Sequence, residues 1–278
     1  MISKVYEHPL IKYLRKGIRQ PFCSGCGNGI IAQCILRAIN DLKVDMKKIV
    51  FVSGIGCSGW IPTLFNADTL HTTHGRPIAF ATGVKLGNPE LKVVVLTGDG
   101  DGAAIGGNHL IHAARRNIEI LTILVNNRIY GMTGGQVAPT TPHGMKTTTT
   151  PYGNIECPFD LCKLVEAAGA AYVARWTTFH VKQLISSIKK GFLKEGFSFI
   201  EIVSQCPIQY GKYIDLQEPA KLLLMLKDLS INKDKAKTIN EKELKEKIII
   251  GEFVDREVIG FSKAYEQLII KVREKRNE

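Results

Sequence analysis

The chain has 278 residues, of which 45% are hydrophobic and 23% charged, with a net charge of +11 and seven cysteines. This is the profile of a folded globular protein with length enough for a large core, not of a disordered or collagen-like chain. An odd number of cysteines at irregular spacing argues against an extracellular disulfide framework, and every apolar run is strand-sized, too short to span a membrane.

The positive charge favours acidic partners without choosing among them. Zinc-finger spacing, an aromatic RNA-binding signature and a compact basic stripe are all missing, so no nucleic-acid partner is expected. The first residues lack the apolar core and cleavage site of a signal peptide, which gives a cytoplasmic expectation.

Residues 1–22 read as an irregular basic arm. Apolar residues at Ile30, Ile31, Ile35 and Ile39 give a helical spacing over 29–42. A strand over 48–53 runs into the glycine-rich turn Gly54-Ile-Gly-Cys-Ser-Gly59. The β-branched run over 92–97 predicts a buried parallel strand that leads into Gly98-Asp-Gly-Asp-Gly102. A helix over 106–116 and a strand over 119–125 follow, ending at Asn126-Asn127. Residues 128–157 carry no periodicity, and a segment of that kind is usually functional. Helices over 158–168 and 178–190 alternate with strands over 171–174 and 198–204.

The alternation predicts an α/β fold, a mostly parallel sheet with helices on both faces. In such sheets ligands bind at the carboxyl ends of the strands, where the unusual loops all lie. The body of the domain is expected over 23–218. Residues 219–278, rich in Lys and Glu before a final amphipathic pattern over 263–275, are expected to form a helical tail and interaction arm.

Gly98-Asp99-Gly100-Asp101-Gly102 fails as a dinucleotide fingerprint. Such a turn offers bare N–H groups to a pyrophosphate, and two acids beside that anion would repel it. A hard cation between them removes the conflict, since Mg²⁺ takes about six oxygens from carboxylate, amide, carbonyl, phosphate and water. A second cluster, Asn126-Asn127-Arg128-Ile129-Tyr130-Gly131, returns to the same rim after one helix and one strand. No Walker sequence occurs anywhere in the chain. Gly-Asp-Gly followed at this distance by Asn-Asn resembles the thiamine diphosphate motif. The resemblance implies Mg²⁺ held by the side chains of Asp99 and Asn127 and the carbonyl of Ile129.

Cys23-Ser-Gly-Cys26 is a C-x₂-C pair, by itself most often half of a zinc or redox site. A second C-x₂-C is absent, and no predicted strand precedes Cys23 as a thioredoxin-like site would require. Cys57 and Cys206 lie in loops after predicted strands, on the rim that carries the acids. Four thiolates complete an iron–sulfur ligand set, although four cysteines also suit a structural zinc. Cys34 and Cys162 sit in apolar helical patterns and read as small buried hydrophobes, while Cys157 stands at a loop–helix junction with no assigned role.

Over roughly residues 20–210 the chain resembles the beta subunits of the 2-oxoacid:ferredoxin oxidoreductases. The resemblance rests on Phe22-Cys23-x-Gly-Cys26-Gly, Gly54-Ile-Gly-Cys57-Ser, His74-Gly-Arg, Gly98-Asp-Gly100, Asn126-Asn127-x-x-Tyr-Gly131-x-Thr and Gln205-Cys206. It implies one [4Fe–4S] cluster on Cys23, Cys26, Cys57 and Cys206. It implies thiamine diphosphate lined by Ile55, Gly56, Cys57, Ser58, His74, Gly100, Asp101, Gly131 and Met132. His74 taken alone reads better as a structural histidine, and the surrounding HTTHGRPIAFATG stretch reverses that reading.

The implied reaction is oxidative decarboxylation of a 2-oxoacid with coenzyme A, electrons leaving through the cluster to ferredoxin or a small ferredoxin-like subunit. An alpha subunit is expected to supply the pyrimidine-binding domain and its glutamate, so no catalytic residue is assigned to this chain with certainty beyond a role for His74. The Tyr130–Gln136 loop looks most like the 2-oxoglutarate enzymes, with pyruvate and branched-chain 2-oxoacids as competitors. Related two-subunit enzymes carry a Lys where Gly134 stands, so the group meeting a second substrate carboxylate is left open among Arg128, Lys146 and the partner chain. A decarboxylase or synthase half with structural zinc is the non-redox alternative. An anaerobic or microaerobic source is expected.

Overall fold

The protein is described over residues 8–277 by a computed structural model. Its strands are β1 (Ile49–Ser53), β2 (Asp68–His71), β3 (Lys92–Gly98), β4 (Ile120–Asn126), β5 (Tyr172–Thr177), β6 (Ser198–Val203), β7 (Ser230–Asn232) and β8 (Ile248–Asp255). The helices are α1 (Asn28–Leu42), α2 (Pro77–Gly87), α3 (Gly107–Arg116), α4 (Leu161–Ala167), α5 (Val181–Leu193), α6 (Tyr210–Tyr213), α7 (Pro219–Leu229), α8 (Lys233–Ala236), α9 (Glu241–Leu244) and α10 (Phe261–Asn277). They build one sheet of order β2-β1-β3-β4-β6-β5-β8-β7. All neighbours pair parallel except β5 and β8.

The central strands are apolar on both faces because each face is covered. Phe51, Val94, Leu96, Ile123 and Ile202 face a core closed by Ile31, Ile35 and Ile39 of α1 and Leu184 and Ile188 of α5. The alternate residues Val52, Val93, Val95 and Phe199 face a second core closed by α2, α3 and α4 through Ile78, Leu110 and Val165. The period-two alternation of strand side chains thus serves two helical layers.

Within the body of the domain β2, α2 and the short α6 were not foreseen. β2 is half-exposed and polar at its ends, so it lacks a buried-strand pattern, and α2 lies within the stretch already read as a motif. The expected N-terminal arm is docked over its described part. Leu10 and Tyr13 are buried, and Arg15 Nη2 donates to the Ala67 carbonyl at 2.8 Å. Residues 1–7 of that arm lie outside the described residues.

The expected helical tail needs correction. Residues 219–278 hold α7 to α10, but β8 enters the main sheet antiparallel to β5 and buries Ile248, Ile250 and Val254. Its Ile-Ile-Ile run suits a strand, and β5 would otherwise offer an unpaired edge. Only α10 matches the expectation of an arm, with Tyr265, Leu268 and Ile270 exposed along it.

This arrangement predicts unequal truncations. Ending the chain after Lys263 removes exposed helix and is expected to leave the melting temperature within about 2 °C. Ending it after Lys247 removes β8 and is expected to give insoluble or much less stable protein, as a thermal melt of the soluble fraction will show.

Candidate cofactor and cluster site

β1, β3, β4 and β6 are consecutive in the sheet and parallel, so their carboxyl ends share one rim. The register aligns Ser53 with Leu96, Gly98 with Val125 and Asn126 with Val203. Each strand delivers one piece: Gly54–Cys57 from β1, Asp99 from β3, Asn127 from β4 and Cys206 from β6.

After β3 the chain turns through a π-helical segment, Gly100–Ile105, a wide turn often found at functional sites. Asp99 and Asp101 are both buried there, with opposite surroundings. Asp101 Oδ1 accepts from the N–H groups of Ile55 (3.1 Å) and Gly75 (2.7 Å) and lies 2.7 Å from His74 Nδ1. Its Oδ2 accepts from Thr97 Oγ1 at 2.5 Å. Asp101 therefore gathers three loops, and it orients His74 so that Nε2 is left for the cleft. Asp99 Oδ2 meets Thr140 Oγ1 at 2.6 Å, and among the described residues no Lys, Arg or His pairs with it. Burial pushes its carboxyl up to about 6, only partly offset by hydrogen bonds from Thr140 and from the backbone N–H groups of Gly100, Asp99 and Arg128.

Asn127 and Ile129 are presented by consecutive side-chain turns. Asn126 Oδ1 accepts from Arg128 N at 3.0 Å, and Asn127 Oδ1 accepts from Ile129 N at 3.2 Å. Arg128 between them has φ +63°, a left-handed conformation that these bonds hold. The Tyr130 hydroxyl donates to the Gly100 carbonyl at 2.9 Å, and its ring lies so close that a methyl at Gly100 would overlap it.

A cleft of about 120 Å³, open to solvent, joins these parts. Every residue expected to touch diphosphate or cation lines it: Ile55, Gly56, Cys57, Ser58, His74, Asp99, Gly100, Asp101, Asn127, Ile129, Gly131 and Met132. Among the described residues no Lys or Arg lines it. Arg128 turns away, its Nη1 reaching the Tyr210 hydroxyl at 3.2 Å, and Lys146 is exposed. At Gly134 φ is +114°, which a Lys would adopt only under strain.

The four predicted cluster cysteines come together beside the cleft. Burial is the main reason that Cys26 is pushed up to about 12 and Cys57 to about 11, and the neighbouring thiols raise both further. Cys26 responds to Cys23, Cys57 and Cys206, so the four form one electrostatic group. A methyl placed on Gly131 would stand 3.6 Å from Cys206 Sγ, 3.8 Å from Cys57 Sγ and 3.4 Å from Asn127 Nδ2. Thiols and cation ligand thus meet around one glycine. Among the described residues no three His, Cys, Asp or Glu side chains are gathered tightly enough for a single ion. Cys34 and Cys162 are buried in helices as expected, and Cys157 is exposed.

Three residues here were not foreseen. Asn28, at the start of α1, lines the cleft while its Oδ1 is buried without a partner. Gln205 Nε2 donates to the Gly25 carbonyl at 3.3 Å, and Gly27 N donates to the Gln205 carbonyl at 3.2 Å, which stitches the Cys206 loop to the Cys23–Cys26 loop. Thr140 reaches Asp99 from the unpatterned segment. Only Gln205 carried a signal, as neighbour of a candidate ligand.

A family profile described as the thiamine pyrophosphate enzyme, C-terminal TPP binding domain, matches residues 54–202. The 2-oxoglutarate synthase subunit KorB of Methanocaldococcus jannaschii is 56% identical over 96% of this chain and 99% of its own length. The corresponding subunit of Archaeoglobus fulgidus is 46% identical over 92% of each chain. The chain belongs to the beta subunits of the 2-oxoacid:ferredoxin oxidoreductases, within the thiamine pyrophosphate enzymes. The solved 2-oxoglutarate:ferredoxin oxidoreductase of Magnetococcus marinus, with 2-oxoglutarate, coenzyme A and succinyl-CoA bound, superposes with a TM-score of 0.85 at 32% identity, covering 97% of this chain and 92% of that one.

Within this family fold, the buried carboxylate of Asp99 and the unpartnered Asn28 Oδ1 both face the cleft without a charged partner among the described residues. Asp99→Asn tests the carboxylate. An acid raised above its unfolded value destabilises the fold once pH exceeds that value, and the penalty is complete above about pH 6. In protein freed of divalent cations, the Asn variant is expected to be more stable at pH 7.5 by on the order of 1–3 kcal/mol. The advantage should shrink as pH falls below about 6 and be gone near pH 4, as paired denaturant titrations will show.

Proposed function

We infer that this chain is the beta subunit of a 2-oxoglutarate:ferredoxin oxidoreductase, converting 2-oxoglutarate and coenzyme A to succinyl-CoA and CO₂ with two electrons passed to ferredoxin. The observation that carries the reading is the meeting of Asn127, Cys57 and Cys206 around Gly131, which sets a diphosphate–cation site against a thiol cluster.

Asp99, Asn127 and the carbonyl of Ile129 would hold Mg²⁺ through hard oxygen ligands. The backbone of Ile55–Ser58 and His74 Nε2 would face the diphosphate. Thiamine diphosphate supplies an electron sink for loss of CO₂ from a 2-oxoacid. Cys23, Cys26, Cys57 and Cys206 would hold a [4Fe–4S] cluster as electron acceptor. Thiols that share one electrostatic neighbourhood without closing on a single-ion site suit a polynuclear cluster better than one tetrahedral zinc.

The cleft is open on one side, and among the described residues its lining holds no Lys or Arg. A second substrate carboxylate therefore finds its cation elsewhere, which supports an alpha-type partner that closes the site. Identities of 46–56% to subunits named for 2-oxoglutarate favour that substrate over pyruvate and branched-chain 2-oxoacids.

The test is viologen reduction under argon by the complex copurified with its partner subunits. The protein should be brown, contain acid-labile sulfide, and reduce the dye only with coenzyme A and 2-oxoglutarate, at a kcat/KM at least about tenfold above that for pyruvate or 2-oxoisovalerate. Preference for another 2-oxoacid would overturn the substrate. Colourless protein with one zinc and no dye reduction would overturn the reaction class.

A further inference from the structure

Glu201 is almost fully buried on β6, below the rim and outside the cleft lining. Its Oε2 accepts from Arg175 Nε at 2.7 Å and from the Cys162 thiol at 3.4 Å. Arg175 Nη2 pairs onward with Asp160 Oδ1 at 2.5 Å, and its Nη1 donates to the Ile249 carbonyl at 3.3 Å. The other oxygen, Oε1, accepts from Asn126 Nδ2 at 2.7 Å.

That last bond fixes which way the Asn126 amide points. With Nδ2 held by a carboxylate, Oδ1 faces the rim, where it accepts from Arg128 N and lies 2.9 Å from Thr140 Oγ1. A reversed amide would set oxygen against the Glu201 carboxylate and N–H₂ against the Arg128 N–H. The left-handed turn at Arg128, which presents Asn127 and Ile129, therefore leans on Asn126, and Asn126 leans on Glu201. Thr140, placed by the same amide, touches Asp99.

We propose that Glu201, neutralised from behind by Arg175, is a positioning residue for the cation–diphosphate site, acting through the orientation of the Asn126 amide. The inference rests on the cofactor reading given above. A carboxylate suits the task because it is a strong acceptor that cannot donate to the amide it holds. The plain alternative is an ion pair that only ties β5 to β6.

The two roles separate experimentally. Replacing a buried ion pair by apolar residues is often neutral for stability, so the double variant Glu201→Leu/Arg175→Met removes the anchor while avoiding an orphaned charge. Glu201→Gln leaves one acceptor oxygen for two donors, Asn126 Nδ2 and Arg175 Nε, and turns an N–H₂ group toward one of them. Asp160→Asn weakens the pairing of Arg175 and leaves the Glu201–Asn126 bond in place. Each is made in the complex with its partner subunits, freed of thiamine diphosphate and cations. Binding of added thiamine diphosphate is followed by equilibrium dialysis against Mg²⁺ concentration, beside a thermal melt without cofactor.

The half-saturating Mg²⁺ should rise on the order of tenfold or more in Glu201→Gln and in the double variant, as for loss of a partner behind a metal ligand, and stay within about twofold in Asp160→Asn. Wild-type Mg²⁺ dependence in the double variant would overturn the inference, whatever its melting temperature. Wild-type protein that binds thiamine diphosphate without Mg²⁺, or not at all, would overturn the underlying cofactor reading instead.

Discussion

Two carboxylates one residue apart in the turn after β3 divide the work of the site. Asp101 is surrounded by four donors and turns them into architecture, tying the β1 loop, the His74–Gly75 loop and Thr97 together. Asp99 has one side-chain donor, the Thr140 hydroxyl, and backbone N–H groups that do not offset its burial. A buried acid with too few partners is costly unless a cation joins it, whereas one with a full set of donors is at rest. The π-helical turn makes this division possible by pointing the two side chains into different surroundings.

Everything else on the rim depends on the sheet being parallel and in register. Four neighbouring strands end together, so residues far apart in the chain arrive within one cleft. A slip of one residue in β4 would exchange its two faces and remove Asn127 from the rim. Helical cover on both faces gives the strands two apolar surfaces and makes such a slip unfavourable on either side. Glycine then permits close approach where parts meet, at Gly100 under the Tyr130 ring and at Gly131 between the thiols and Asn127.

The sequence made the central strands legible because their β-branched runs are uniformly apolar. It made the site legible because glycine, acid, amide and thiol fall in loops where no packing demand explains them. What it concealed were residues that act through geometry alone. Nothing about Asn28, Thr140 or Glu201 stands out from neighbours of the same type, since their meaning comes from contacts across the fold. β8 was hidden differently. Its isoleucines lie beside a stretch dominated by Lys and Glu, and composition over a long window conceals an eight-residue strand.

The same division of burial explains why this chain looks complete in its fold yet partial in its chemistry. Its polar groups are tied from beneath by Asp101, and Glu201 holds the Asn126 amide from within the sheet. Above the cleft the character reverses. Ile55 and Met132 are exposed in its lining, where among the described residues no Lys or Arg stands. Apolar side chains bordering an open polar cleft are the residues a covering surface would bury. Recognition of a doubly charged 2-oxoacid requires a cation that the described lining does not supply, and a decarboxylation site must also exclude water. Both needs point to the same open face. On that reading the chemistry common to all 2-oxoacids is carried by this subunit, and the discrimination among them is carried by whatever closes upon it.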